Sequence, residues 1–367
     1  MEATQPITFA RGAPSLDIVP VDDLRESAQR AFESDPGGAF SYGTSGGYPR
    51  LRDWIAAKHG VAREQVIATN GSMQADAFLF ERLVAPGDTV VVEAPTYDRT
   101  LLALRELGAD VLAIPLQEDG IDVEGLARAL EGGARPTLAH IIPNFQNPAG
   151  VTLSLEKRRR LLELAAAYEF TIFEDDPYGE LRFEGETQPS LLELDDADRV
   201  VFASSFSKTV CPGVRVGYLV GPGPLIADIL RKATNTYISP SMVAQAIVAE
   251  FCESGAIARS IETVKGALRE RRDAVCSALE RQLPDARFDP PQGGYFLWVE
   301  LPEGSDVDAL AAAAKERGVI FVKGTDFLLE GGLNTLRLAY SGVRPDEIEE
   351  GIGRLADAYR GLSVAAA

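Results

Sequence analysis

The segment Ser205-Phe206-Ser207-Lys208, with Arg215-Val216-Gly217 beginning seven residues after the lysine, sets a primary amine among hydroxyls and a guanidinium. Burial and nearby cations penalise the charged form of an amine and make it a nucleophile. Two hydroxyls and an arginine fork can hold a phosphate. Glu174-Asp175-Asp176-Pro177-Tyr178 places carboxylates just after the apolar run Phe170–Phe173, where one of them can pair with a protonated ring nitrogen. Pro143-Asn144-Phe145-Gln146-Asn147-Pro148-Ala149-Gly150 reads first as a turn, yet the Asn147 amide can donate to an oxygen on a bound ring. Thr69-Asn70-Gly71-Ser72-Met73-Gln74 joins the run Val66–Ala68 to a helix, and a helix start with free backbone N–H groups favours an anion. Arg337 interrupts the apolar run Thr335–Tyr340, and an inward arginine on a strand calls for an anion such as a carboxylate. Each segment alone has an ordinary reading: a solvated lysine, a loop carboxylate, a capped helix or an internal ion pair.

Taken together, in this order and spacing, they resemble the fold-type I aminotransferases, which use pyridoxal 5′-phosphate (PLP). The resemblance runs from Phe9 to Tyr359 and is strongest to the branch of 2-aminoadipate and kynurenine aminotransferases and the aminotransferase-like domain of MocR regulators. It implies that Lys208 forms the Schiff base and carries the proton, that Asp175 pairs with the pyridinium nitrogen, and that Tyr97 stacks on the ring. Asn147 and Tyr178 would bond the phenolic oxygen. Ser72, Met73, Gln74, Ser205, Ser207 and Arg215 would surround the phosphate. Tyr42, in Phe40-Ser41-Tyr42-Gly43, would reach a phosphate across a homodimer interface. Arg337 would take the substrate α-carboxylate with help from Asn147, and Arg11 would read the substrate side chain. The implied reaction is ping-pong transfer of an amino group from an α-amino acid to a 2-oxo acid, with 2-oxoglutarate as the expected acceptor. Other PLP reactions (lyase, decarboxylase, racemase, oxidase) share these cofactor residues, and a PLP-sensing regulatory domain is a further reading. The donor side chain is not fixed by the motifs.

Some positions depart from the family pattern. Ala149 stands where many relatives have Thr, and Lys323 where many have Pro; Lys323 is expected to be solvated. His140 is expected to be a satisfied core histidine and Cys211 a packed thiol.

Composition narrows the classes. The chain has 36 Lys and Arg against 55 Asp and Glu, a net charge of −19, which argues against nucleic-acid backbones and anionic membranes as partners. With the chain starting close to Phe9, no N-terminal DNA-binding domain is expected. Three scattered cysteines and two histidines offer neither a disulfide framework nor a histidine-rich metal site, and point to a reducing cytoplasm. No signal peptide or spanning apolar stretch is visible.

The elements that must position these groups follow from the pattern. Short apolar runs (Val66–Ala68, Val90–Val92, Val111–Ile114, Leu138–Ile142, Phe170–Phe173, Val200–Ala203, Val214–Val220) alternate with amphipathic stretches. That alternation predicts an α/β fold with a mostly parallel sheet covered on both faces, with room for one antiparallel member. After Pro222 the chain is helical to residue 283, broken at Pro240, with one long helix over Glu262–Leu283. Runs at Tyr295–Val299, Val319–Val322 and Thr335–Tyr340 then predict a smaller α+β domain. The expected division is 1–35 as a segment packing with the small domain, 36–260 as the PLP-binding domain and 261–367 as the small domain. Ala365–Ala367 is expected to fray.

Overall fold

A computed structural model describes residues 6–365; Ala366 and Ala367 lie outside the described residues. Among the described residues thirteen strands occur in chain order: β1 (Ile7–Thr8), β2 (Val66–Thr69), β3 (Thr89–Ala94), β4 (Asp110–Gln117), β5 (Gly120–Ile121), β6 (Pro136–Ile141), β7 (Thr171–Asp175), β8 (Val200–Ser205), β9 (Gly217–Val220), β10 (Phe296–Glu300), β11 (Val319–Ile320), β12 (Val322–Lys323) and β13 (Thr335–Ala339).

Eight of them form the central sheet in the order β2-β9-β8-β7-β6-β3-β4-β5. Strands β4, β3, β6, β7 and β8 run parallel. β9 is antiparallel to both neighbours, as the close spacing of the last two apolar runs predicts. The two-residue edge strand β5 is a second antiparallel member that the sequence pattern did not reveal. Strand side chains alternate between faces. Val90 and Val92 therefore pack under the helices Ser72–Leu83, Asp98–Leu107 and Gly223–Tyr237, while Val91 packs under Val123–Glu131 and Leu155–Tyr168. Both faces are dry, which is why these strands read as unbroken apolar runs.

The smaller domain is a three-stranded antiparallel sheet, β10-β13-β12. It packs with the helices Val307–Glu316, Pro345–Ala365 and the 27-residue Ala256–Gln282. That last helix begins before the expected Glu262, because Gly255 with φ +77° ends the preceding turn and restarts the helix. Two other expectations change. The run Val214–Val220 is a strand only from Gly217, because Arg215 has φ +48° and breaks the extension. The run Val319–Val322 splits between two sheets, β11 pairing with β1 and β12 with β13. The N-terminal segment divides its packing. Ile7, Phe9 and Ile18 join the small-domain core, while the helix Val21–Ser34 lies against Met242–Glu253.

Candidate active site

The parallel strands deliver their loops to one edge, the carboxyl end, where open α/β sheets bind ligands. Tyr97 follows β3, Asn147 follows β6, Asp175 ends β7, and Ser205, Ser207 and Lys208 end or follow β8. A cavity of about 170 Å³ lies there. It is lined by Ser72, Met73, Tyr97, Asn147, Asp175, Tyr178, Ser205, Ser207, Lys208 and Arg215, so all the expected cofactor residues except Gln74 and Tyr42 converge. A second cavity of about 430 Å³ shares Tyr97, Asn147, Tyr178 and Lys208 and adds Arg337 and Arg11.

One end of the smaller cavity suits a phosphate. Ser72 opens the helix Ser72–Leu83, so its first backbone N–H groups have no intrahelical acceptor. Arg215 donates to the Ser207 hydroxyl at 3.4 Å, and the Ser207 N–H donates to the Ser205 hydroxyl at 3.2 Å. Gly71 has φ +84°, and a Cβ there would overlap the Arg215 guanidinium. Only glycine leaves that space open.

The other end suits a protonated ring nitrogen. Asp175 is 6% exposed, and its buried Oδ1 has no hydrogen-bond partner. A buried acceptor left unpaired is costly, so the site fits a group that donates there. His140 Nε2 lies 3.6 Å from Asp175 Oδ2, and its Nδ1 is buried without a partner. His140 is thus a core histidine, but not the satisfied one expected: it stands behind Asp175 with hydrogen-bonding capacity unused.

The Lys208 amine is pushed down to about 8, first by burial, then by Arg337 and Arg215, against the pull of Asp175. It donates to the Gly12 carbonyl. Its own backbone carbonyl accepts the Tyr295 hydroxyl at 2.8 Å. Burial pushes the Tyr97 hydroxyl up to about 12 and raises Tyr178 as well, which keeps both as neutral donors.

Arg337 is 6% exposed on β13. It donates to Asn147 Oδ1 at 2.8 Å and to the Ala10 carbonyl at 2.6 Å, and its Nε is buried without a partner. Its guanidinium lies 4.4 Å from the Phe296 ring centre and 4.8 Å from that of Phe327, a flat slot that favours a planar cation. With Asn147 Oδ1 engaged, the Asn147 amide N–H groups remain as donors.

Gln74 does not reach the cavity. Its side-chain oxygen accepts the Asn70 N–H at 2.9 Å and braces the turn before the helix. Tyr42 is 88% exposed and lines neither cavity within this chain. Arg11 is exposed at the mouth of the larger cavity. Lys323 turns away to Asp308, in keeping with a solvated lysine, and Cys211 is half-buried rather than packed. The sequence reading missed Asp76, which lines the smaller cavity one helical turn after Ser72; the i, i+4 spacing was its available signal. Among the described residues no cluster of His, Cys, Asp and Glu could hold a metal, and no helix is long and apolar enough to cross a membrane.

Residues 4–355 match the family model of aminotransferase class I and II. The chain belongs to that family. It is 34% identical to aromatic-amino-acid aminotransferase 1 of Thermococcus litoralis, covering 98% of this chain and 89% of that one. Its structure is similar to that of Pyrococcus horikoshii kynurenine aminotransferase in complex with PMP, with TM-score 0.93, 34% identity and coverage of 98% and 92%. It is also similar to LysN, the α-aminoadipate aminotransferase of Thermus thermophilus, complexed with N-(5′-phosphopyridoxyl)-L-leucine, with TM-score 0.94, 34% identity and coverage of 98% and 93%. The chain is therefore a fold-type I, PLP-dependent transaminase, and its large α/β and small α+β domains are those of that fold. Its substrates are an amino acid and a 2-oxo acid, exchanged by a ping-pong, Schiff-base mechanism.

Proposed function

We propose that this aminotransferase moves the amino group of an α-amino acid to 2-oxoglutarate in the cytoplasm, as a homodimer. The observation that carries this reading is the arrangement of Arg337 and Lys208. They line one cavity, with the Arg337 guanidinium 4.4 Å and 4.8 Å from the Phe296 and Phe327 ring centres and bonded to Asn147.

PLP, when bound, supplies the electron sink for the bond broken at the substrate Cα. The chain does the rest. Ser72, Ser205, Ser207 and Arg215 hold the phosphate at the helix N-terminus, with Met73 beside them. Asp175 keeps the ring nitrogen protonated. Asn147 and Tyr178 donate to the ring oxygen, and Tyr97 packs against the ring. Arg337 fixes the α-carboxylate and so chooses which bond at Cα is broken. Lys208, whose amine burial brings down to about 8, is the covalent anchor and the base that carries the Cα proton. Arg11 stands at the mouth, where a substrate side chain enters.

The dimer reading rests on exposed apolar residues, of which Met73 lines the cofactor cavity. Phe40 is 61% exposed, Tyr42 88%, Met73 48% and Ile238 57%. Tyr42 would complete the phosphate site of a second copy. We place the domain boundaries near residues 36 and 261. The three free cysteines agree with a reducing compartment.

The test is an absorbance titration of PLP-loaded protein with amino acids of each class, first alone and then with 2-oxoglutarate. One donor class should bleach the visible band, and 2-oxoglutarate should restore it. Release of ammonia or carbon dioxide with no need for an acceptor would replace transamination with lyase or decarboxylase chemistry.

A further inference from the structure

Asp76 is a second carboxyl in the cofactor cavity, and the mechanism above does not use it. It lines the same cavity as Asp175. Each of the two has an Oδ1 that is buried and without a hydrogen-bond partner. The titratable groups facing this space are Asp175 from β7, Tyr97 from the loop after β3, Tyr178 from the loop after β7, and Lys208 and Arg215 from the loop after β8, with His140 of β6 behind Asp175. The other charges on the Asp76 helix point away: Glu81 pairs with Lys232 and Arg82 with Asp228. Two carboxyls thus share a confined space, and among the described residues no ion pair neutralises Asp76.

Two buried carboxylates at short range do not both ionise readily, so one keeps a proton. Burial and the charge of Asp175 raise Asp76 well above the usual carboxylate range, which makes Asp76 the member that holds it. A cationic group arriving at Asp175 would cancel the repulsion and let Asp76 release that proton to solvent.

We propose that Asp76 and Asp175 act as a coupled carboxyl pair at the ring-nitrogen end of the cofactor, with Asp76 as a positioning residue that links cofactor affinity to pH. The inference rests on the reading that this cavity holds PLP. By reciprocity, if the cofactor eases ionisation of Asp76, ionised Asp76 strengthens cofactor binding. One unit of change in a carboxyl's titration on binding is worth tenfold in affinity.

The test is the dissociation constant of PLP for apoenzyme of the wild type, Asp76→Asn and Asp76→Leu between pH 6 and 9. Asn imitates the protonated acid, so the ratio of Asp76→Asn to wild type should be near one at pH 6 and rise about tenfold by pH 9. Asp76→Leu should show the same trend with a constant offset. Titration of the cofactor and of Lys208 is common to all three proteins and cancels in the ratio. A ratio independent of pH would mean that Asp76 only packs, and would overturn the proposal. A second measurement needs no cofactor. Asp76→Asn should raise the melting temperature of the apoprotein at pH 8, and the gain should shrink in an Asp175→Asn background. An equal gain in both backgrounds would remove the coupling. If wild-type protein fails to bind PLP, the cofactor reading falls, while the melting series still decides the pair.

Discussion

The Arg337 guanidinium donates to the side-chain oxygen of Asn147 at 2.8 Å, which joins β13 of the small domain to the loop after β6 of the large one. The proposed substrate anchor and the proposed cofactor loop are therefore joined directly. Replacing Arg337 by Leu removes the fork and leaves the Asn147 oxygen without its donor. Truncation of a buried charged hydrogen bond costs about 2–5 kcal/mol. The expected result in steady-state kinetics is a fall in kcat/KM of about a hundredfold or more, with PLP affinity within about threefold of wild type. Arg337→Lys should recover only part of the loss, because an ammonium cannot present two parallel donors. An unchanged kcat/KM would remove Arg337 as the carboxylate anchor.

Lys208 should control how fast the cofactor attaches. Its amine is pushed down to about 8, mainly by burial and next by Arg337. The neutral amine is the reactive form, so attachment of PLP to apoenzyme should quicken as pH rises to about 8 and then level off. Arg337→Leu takes away a neighbouring cation and should move that midpoint upward. Lys208→Ala should leave cofactor that borohydride cannot fix to the protein. A cofactor still fixed in that variant would place the attachment elsewhere.

Gly71→Ala is a small change with a large expected effect. The new Cβ would collide with the Arg215 guanidinium, and the φ of +84° disfavours any side chain. Displacing Arg215 should weaken binding of PLP, and of inorganic phosphate as a competitor, by about tenfold or more. Equilibrium dialysis measures both. If only thermal stability falls and both affinities hold, Arg215 is not a phosphate ligand.

Glu93 gives a signature in stability. It is 1% exposed on β3 and accepts the Ile142 N–H and the Gln146 amide, each at 3.1 Å, which braces the loop that carries Asn147. Burial pushes its carboxyl up to about 8 from 4.5. A carboxyl raised on folding supports the fold fully below its unfolded value and loses that support as pH climbs through its folded value. Glu93→Gln has no such loss. Its melting temperature relative to wild type should rise between pH 4.5 and 8 and stay level above. Glu174, likewise pushed up to about 8, is present in both proteins and drops out of the difference. A flat difference would mean that Glu93 titrates normally.

Tyr42→Phe should leave the mass of the proposed dimer unchanged in sedimentation and weaken PLP binding several-fold, since the hydroxyl is the proposed phosphate contact. A monomeric wild-type protein that binds PLP with full affinity would exclude a contribution from a second copy.

The candidate site was legible where an unusual side chain broke an apolar or turn pattern: Lys208, Asp175 and Asn147 follow or end strands of the central sheet, Arg337 interrupts β13 of the small domain, and the fold brings them to adjoining cavities. The placement of Gln74 was not legible, because its motif is shared by a cavity wall and a helix brace, and its side chain is found accepting the Asn70 N–H. Asp76 was missed because its i, i+4 spacing from Ser72, the one signal available, is equally that of a solvated carboxyl on the same helix face. His140 was read as satisfied because hydrogen-bond capacity is a property of three-dimensional neighbours. β5 and the split between β11 and β12 escaped for a related reason: two-residue strands carry too little periodicity to register.

The thread Phe9–Gly12 gives the site a mechanical property. Phe9 bonds β11 and β13 through its backbone, with the Ile320 and Ala339 partners each at 2.7 Å. The next carbonyls take Arg337 at Ala10 and the Lys208 amine at Gly12. The Arg337 fork and the Lys208 amine thus hang on one short segment that is itself strand-paired to the small domain, and a change at Ala10 or Gly12 would be felt at both cations.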